Sequence, residues 1–335
     1  MKKNILIISN DKLNIQGDKI SADYNDVINI IESLSEKNHL DFLCRLENGF
    51  KNFISQKKNY KNFLKINLLD LKKKIKDYKV FMISITPYNF YIFLILKFLN
   101  KKINGYVYLR SDGYKEYLYK YGYLGEIIYG FMYRMITSSL KTIFVSNKIT
   151  GFKKKSFLIE PSEIDPKWIS NHSKPKLDKP RLLYLGRYKK EKGIFSLINL
   201  LNLKDYNFKL DVVGTKKKIF SKNKKINYLK EIKSIKKIIN CYDRSNIFVL
   251  PSYTEGAPKV LLESLARHRP IIIFQEISYV KKDFRGIFIC KRNHKDFTNT
   301  VNYILKNYKK ISKKIKGNKI YTKQEFQNAL SKIVI

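Results

Sequence analysis

The chain has 335 residues, enough for two domains of roughly 150 residues each, and its 24 Tyr and 21 Phe within a 44% hydrophobic composition exclude a disordered polypeptide. Three widely spaced cysteines, Cys44, Cys241 and Cys290, exclude a disulfide framework and a cysteine-ligated metal cluster, and lead us to expect a reduced cytosolic chain. Lys and Arg number 68 against 28 acidic residues, a net charge of +40, but the lysines are spread along the chain with the over-used Asn, Ile, Tyr and Phe of an AT-rich codon bias.

That charge therefore selects no partner alone; an anionic membrane surface or anionic substrate suits it better than a specific nucleic acid. The amino-terminal MKKNILIISN is basic, then apolar over about five residues, with no small-residue cleavage site, which predicts a strand at Asn4–Ser9 rather than a signal peptide. A helix near Ala22–Ser35 and a strand at His39–Arg45 follow. The longest apolar run, Val80 to Leu99, is interrupted by Pro87, Asn89 and Lys97. It divides into a strand at Lys79–Ile85 and a helix at Asn89–Leu99 rather than a membrane span. Strands at Gly105–Arg110 and Thr142–Val145 flank a helix at Tyr121–Ser138. Pro161 to Pro180 holds four prolines and little periodicity, the signature of a linker. Strands at Arg181–Leu185, Lys209–Val213, Ile247–Leu250, Pro270–Phe274 and Gly286–Ile289 come next, and a basic amphipathic segment, Lys295 to Ile335, closes the chain. The alternation indicates βαβ units and parallel sheets. An α/β chain is expected, with domains at 1–160 and 181–310, a linker at 161–180, and a C-terminal helical segment at 311–335 placed to pack back on the first domain.

The stretch PSYTEGAPKVLLESLARHRPIII, Pro251 to Ile273, puts Glu255 and Glu263 on either side of a Gly256-Ala257-Pro258 turn and a helix start. Pro258 suits a first helical position because its missing N–H has no helical partner there. The N–H groups of Lys259 and Val260 would then point out of the helix terminus, where the dipole favours a phosphate. Carboxylates beside an anion site suit a ligand with both hydroxyls and phosphates, such as a nucleotide sugar. In YLGRYKKEKG, Tyr184 to Gly193, Arg187 and Lys192 lie in a strand-to-helix loop at the carboxyl end of a strand, where open sheets bind ligands. Two cations there would clamp a diphosphate and neutralise it as it leaves; a solvated basic loop is the alternative.

Gly186-Arg187, Lys192-Gly193, Glu255 and Glu263 in this order resemble the retaining GT-B glycosyltransferases of family 4, the group 1 type. LDVVGT (Leu210–Thr215) and YDRSNIFVLPS (Tyr242–Ser252) resemble that family's intervening strands. The likeness spans about Arg181 to Phe274; the first half shares only the βα rhythm. The resemblance implies two Rossmann-like doubly wound domains facing across a cleft. It gives Gly186, Arg187 and Lys192 to the donor diphosphate and Glu255 to the donor sugar. Gly256, Ala257, Lys259 and Val260 follow Glu255 with gripping N–H groups, and Glu263 takes the ribose hydroxyls. A surface pair of Glu263 with Lys259 is the alternative for that carboxylate. Asp112, after strand VYLR, falls near where the family carries a polar residue facing the sugar, with Arg110 beside the acceptor or a phosphate; an Asp-Gly turn is the alternative. Gly17, which would let the backbone approach the donor, stands where the family has two adjacent glycines, and Arg267-His268-Arg269 where it has Gly before a Lys/Arg-Pro pair, so His268 reads as structural.

No Asp-x-Asp pair suited to a divalent ion appears beside these residues, so no metal and no cofactor is expected beyond the nucleotide-diphosphate sugar as donor substrate. The leading expectation is a metal-independent, hexosyltransferase-type transfer with retention, building cell-surface polysaccharide on a glycan or lipid-linked acceptor. A location in the cytoplasm, or peripherally on the inner membrane face, goes with it. Two readings compete: a nucleotide-sugar epimerase of the same fold, and a non-catalytic basic protein binding nucleic acid or membrane.

Overall fold

The computed structural model describes residues 3–16, 19–46, 53–54, 68–153, 156–202, 206–215, 223–232, 234–281 and 283–334. They form two compact units, Met1–Glu163 with Thr322–Ile335, and Ile164–Tyr321.

The first unit runs β1 (Lys3–Gln16), β2 (Lys19–Ala22), α1 (Asn25–Ser35), β3 (Asn38–Leu46), β4 (Phe53–Ile54), α2 (Leu68–Lys74), β5 (Tyr78–Ile83), α3 (Pro87–Leu99), β6 (Gly105–Leu109), α4 (Gly113–Thr137), β7 (Lys141–Phe144) and β8 (Phe157–Leu158). β3, β1, β5, β6, β7 and β8 pair in parallel in that order. Strands such as β5 and β6 are apolar runs because helices cover both faces of a parallel sheet. β2 pairs antiparallel with the distal end of β1, placing Ala22 opposite Leu13. That pairing is why α1 starts at Asn25 and not at the expected Ala22. α4 breaks at Gly122, whose φ of 68° is not helical; the part after it matches the expected Tyr121–Ser138, and the additional part before it is capped by the Asp112 carboxylate, which accepts from the Lys115 N–H at 3.3 Å.

The second unit runs α5 (Pro166–Ile169), β9 (Arg181–Leu185), α6 (Ile194–Asn202), β10 (Lys209–Thr215), β11 (Ile226–Lys230), α7 (Ile235–Arg244), β12 (Ile247–Leu250), α8 (Lys259–Ala266), β13 (Ile271–Phe274), β14 (Ile287–Cys290), α9 (His294–Lys306) and α10 (Tyr308–Ile315). Its sheet is parallel in the order β11-β10-β9-β12-β13-β14, the doubly wound dinucleotide-fold order. The order reverses between β9 and β12, the place where such sheets bind ligands.

Of the expected linker at 161–180, the part from Ile164 onward is built into the second unit. Trp168 is buried in its core against Tyr242, rings 5.9 Å apart. The fully buried Arg267 donates to the carbonyls of Trp168, Ser170 and Asn171 at 3.0, 2.6 and 2.9 Å. The closing segment divides. α10 stays with the second unit, while α11 (Lys323–Val334) packs on α1 of the first, where Ser33 Oγ donates to the Gln327 carbonyl at 2.7 Å and Lys323 pairs with Glu32 at 3.0 Å.

Candidate functional site

At the switch point of the second unit, the loops after β9 and β12 touch. Gly193 closes a single 3-10 turn at φ +67°, and a methyl there would overlap the Pro251 carbonyl, so this contact demands glycine. The contact brings Lys192 Nζ to 2.8 Å from Glu255 Oε1. Ser252 Oγ donates to the same oxygen at 2.6 Å. The Tyr279 hydroxyl locks the Glu255 main chain, accepting from its N–H at 3.0 Å and donating to its carbonyl at 2.6 Å.

Beneath the loop, Arg292 lies over the rings of Tyr253 and Phe274, at 4.1 and 4.3 Å from their centroids, and pairs with Glu276 at 2.7 Å. Burial opposes the Glu276 charge, but the hydrogen bond from Arg292 and its charge outweigh that and hold the carboxyl below the usual range. Gly186 leaves β9 with its N–H donating to the Val213 carbonyl at 3.1 Å. The Tyr184 hydroxyl donates to the Arg187 carbonyl at 2.8 Å, fixing the backbone that carries the exposed Arg187 guanidinium. Burial first, then the Glu255 charge, pushes the Tyr184 hydroxyl up, so it stays a donor.

Pro258 is the residue before the first helical position of α8, not that position itself: its φ of −71° and ψ of 110° leave it extended, and its carbonyl takes the Leu261 N–H at 3.0 Å. Gly256 is buried, Ala257 and Val260 half-buried and Lys259 exposed at this terminus. Glu263 points inward from α8, and its Oε2 accepts from the Tyr242 hydroxyl at 2.9 Å. Thus Arg187, Lys192, Glu255 and the α8 terminus lie on loops that end at one switch point, with Glu263 one turn into α8.

The first-unit residues have different surroundings. Asp112 is 2% exposed; besides capping α4, its Oδ2 takes the Thr150 N–H at 3.2 Å and hydroxyl at 2.8 Å. Both oxygens are engaged inside the unit, which suits a structural cap better than a sugar contact. Arg110 lies between Asp11 and Asp26, each at 3.0 Å, and donates to Ser84 Oγ at 2.9 Å. Its charge is thus shared with two carboxylates of the same unit. Gly17 lies outside the described residues. His268 adopts φ +57° and stacks on His172 with ring centroids 3.9 Å apart. The position needs the left-handed conformation that glycine adopts most readily, which explains why a histidine there is structural.

Ser252, Tyr279 and Arg292 were not singled out in the sequence. Ser252 lies three residues before Glu255, and that spacing was a readable signal. Tyr279 and Arg292 reach the loop from later parts of the chain, and no local pattern announces them.

Residues 167–320 match the family model for glycosyl transferases group 1. Over 161 residues the chain is 29% identical to the capsular polysaccharide biosynthesis glycosyltransferase CapM of Staphylococcus aureus. That match covers 42% of this chain and 40% of CapM, so the chain spans about two fifths of its curated relative. Among solved structures, the sucrose-phosphate synthase of Thermosynechococcus elongatus matches with a TM-score of 0.70 at 14% identity, over 99% of this chain and 98% of that one. WaaG, a glycosyltransferase involved in lipopolysaccharide biosynthesis, matches at 0.66 and 13% identity, over 98% and 99%. HepE of Anabaena, in complex with UDP-glucose, matches at 0.59 and 12%, over 99% and 95%. At such identities the likeness is one of fold. The chain has the GT-B fold, and residues 167–320 of its second unit match the glycosyl transferases group 1.

Proposed function

We propose that the protein transfers a hexose from a nucleoside-diphosphate sugar to a glycan or lipid-linked acceptor during assembly of a cell-surface polysaccharide, with retention at the anomeric carbon and without a metal. The observation that carries this reading is the Lys192–Glu255 pair at the switch point, at 2.8 Å, beside the exposed Arg187. The polysaccharide role named for CapM and the UDP-glucose bound by HepE point the same way.

Arg187 and Lys192 hold the diphosphate, and the N–H groups of Gly256, Ala257, Lys259 and Val260 complete the anion site at the α8 terminus. Glu255, positioned by Ser252 and Tyr279, faces the sugar. Glu263, steadied by Tyr242, takes the ribose hydroxyls. In the reaction the bond from the anomeric carbon to the diphosphate oxygen breaks and its electron pair leaves with the diphosphate. The acceptor oxygen bonds to that carbon from the same face and its proton passes to the departing oxygen. Positive charge builds on the sugar as the leaving group goes, and fixed cations stabilise the leaving charge in place of a metal ion.

The test incubates the full chain with a panel of nucleotide sugars and glycan acceptors and follows release of nucleoside diphosphate. Donor-dependent product that survives EDTA is expected, and Arg187→Ala is expected to lower kcat/KM on the order of 100-fold. Conversion of the donor without any acceptor would indicate an epimerase instead. Full activity in both Arg187→Ala and Glu255→Ala would remove the site assignment.

A further inference from the structure

α3 and the second half of α4 are apolar on two sides. In α4, Gly125, Tyr129, Met132 and Ile136 form the buried stripe, spaced as a helix facing a core requires. One position earlier, Leu124, Ile128, Phe131 and Met135 repeat the same spacing, yet they are 68, 48, 55 and 38% exposed. α3 presents Tyr91, Leu94 and Phe98 in the same way, at 63, 39 and 90%. The two stripes adjoin. Phe90 of α3 meets Phe131 of α4 edge to face at 5.9 Å, and Lys97 Nζ reaches Ser139 Oγ, just beyond α4, at 2.8 Å. Scattered exposed apolar side chains are ordinary, but a contiguous face across two helices marks a partner.

We propose that this face anchors the protein on an anionic bilayer, lying in the headgroup region. No helix among the described residues is long and apolar enough to cross a membrane. The rim is mainly cationic: no acidic residue occurs between Pro87 and Arg110, whereas Lys97, Lys101 and Lys102 do, and the second half of α4 carries the exposed Arg134 against one half-buried acid, Glu126. Tyrosine and phenylalanine on such a face seat at the membrane–water boundary, and lysines beside them are drawn to anionic lipid. A second copy is a poorer occupant, since it would bring its own charge of +40 against the same cationic rim. Every residue of this face belongs to the first unit.

The test floats the full chain with vesicles of phosphatidylcholine, with and without phosphatidylglycerol. Binding is expected only to the anionic vesicles and is expected to weaken as salt rises. Replacing three exposed side chains together, Leu124→Gln, Ile127→Gln and Ile128→Gln, should cut partitioning on the order of tenfold per side chain. Lys101→Glu with Lys102→Glu, which leaves the apolar face intact, should weaken anionic binding alone and serves if the triple variant does not fold. Equal binding to neutral vesicles overturns the proposal, as does unchanged binding by both variants. A dimer in buffer that the triple variant turns into monomer also overturns it, because the face would then belong to a second copy.

Discussion

Lys192 and Glu255 hold each other's charge across two touching loops, where neither has another oppositely charged side chain within 4.0 Å among the described residues. Removing one therefore acts on both: Lys192→Met should weaken nucleoside-diphosphate binding at least tenfold and leave the Glu255 charge unpaired, seen by calorimetric titration. The pair was legible in the sequence because each member sits in a local motif of loop, glycine and helix start. Arg292 and Tyr279 were not, since their contacts exist only once β13 and β14 lie beside β12. Asp112 and Arg110 show the converse limit: a carboxylate before a helix and a cation after a strand look alike whether they bind a ligand or cap and pair internally. His268 carries a pH prediction. Burial first, then the stacked His172 and the nearby Lys316, Arg269 and Arg267, lower its pKa from 6.5 to about 4. The folded state keeps it neutral while the unfolded chain takes up a proton below its ordinary value, so stability falls as pH drops from about 6.5 towards 4. In His268→Gly, the loss of Tm between pH 7 and pH 5 should be smaller than in the wild type; an equal loss would refute this coupling.

The strands of the second unit were readable as apolar runs because both their faces are covered, as in IFVL of β12 and IIIF of β13. The four-proline stretch misled for a physical reason. Prolines suppress periodicity, but burial of Trp168 and the anchoring of three carbonyls by Arg267 are tertiary and leave no trace in spacing. Arg267 also pairs with Asp243 at 2.8 Å. Arg267→Met should cost about 3 kcal/mol or more, because three carbonyls and a carboxylate lose their donors together, and the thermal melt should register it. Arg267→Lys should not restore the loss, since an ammonium lacks the planar fork that serves several acceptors at once. At the contact of the two site loops, Gly193→Ala forces a side chain into the left-handed region and onto the Pro251 carbonyl. Its expected signature is a lowered Tm together with weaker nucleotide binding, and retention of both would show that the loops do not need this approach.

Across the molecule, the chain leaves the first unit at Glu163 and returns to it at Thr322, so the first unit's core is completed only by the last helix. Deleting 322–335 uncovers α1 and should lower the stability of the first unit. The single tryptophan, Trp168, lies in the second unit, so its fluorescence melt should move less than the circular-dichroism melt of the whole chain. Equal shifts would mean that the last helix supports both units. The fold class was legible from βα alternation alone, whereas the return of α11 was only foreshadowed, because an amphipathic helix does not say which core it covers. The charge of +40 remains consistent with an anionic donor, an anionic surface, or both. The central claim is that the switch point of the second unit binds a nucleoside diphosphate through Arg187 and Lys192. Calorimetric titration of the full chain with UDP, GDP, ADP, CDP and TDP tests it most directly. The account predicts saturable binding of at least one, weakened at least tenfold in Arg187→Ala and in Lys192→Met; binding of none, or equal binding by the wild type and both variants, would contradict it.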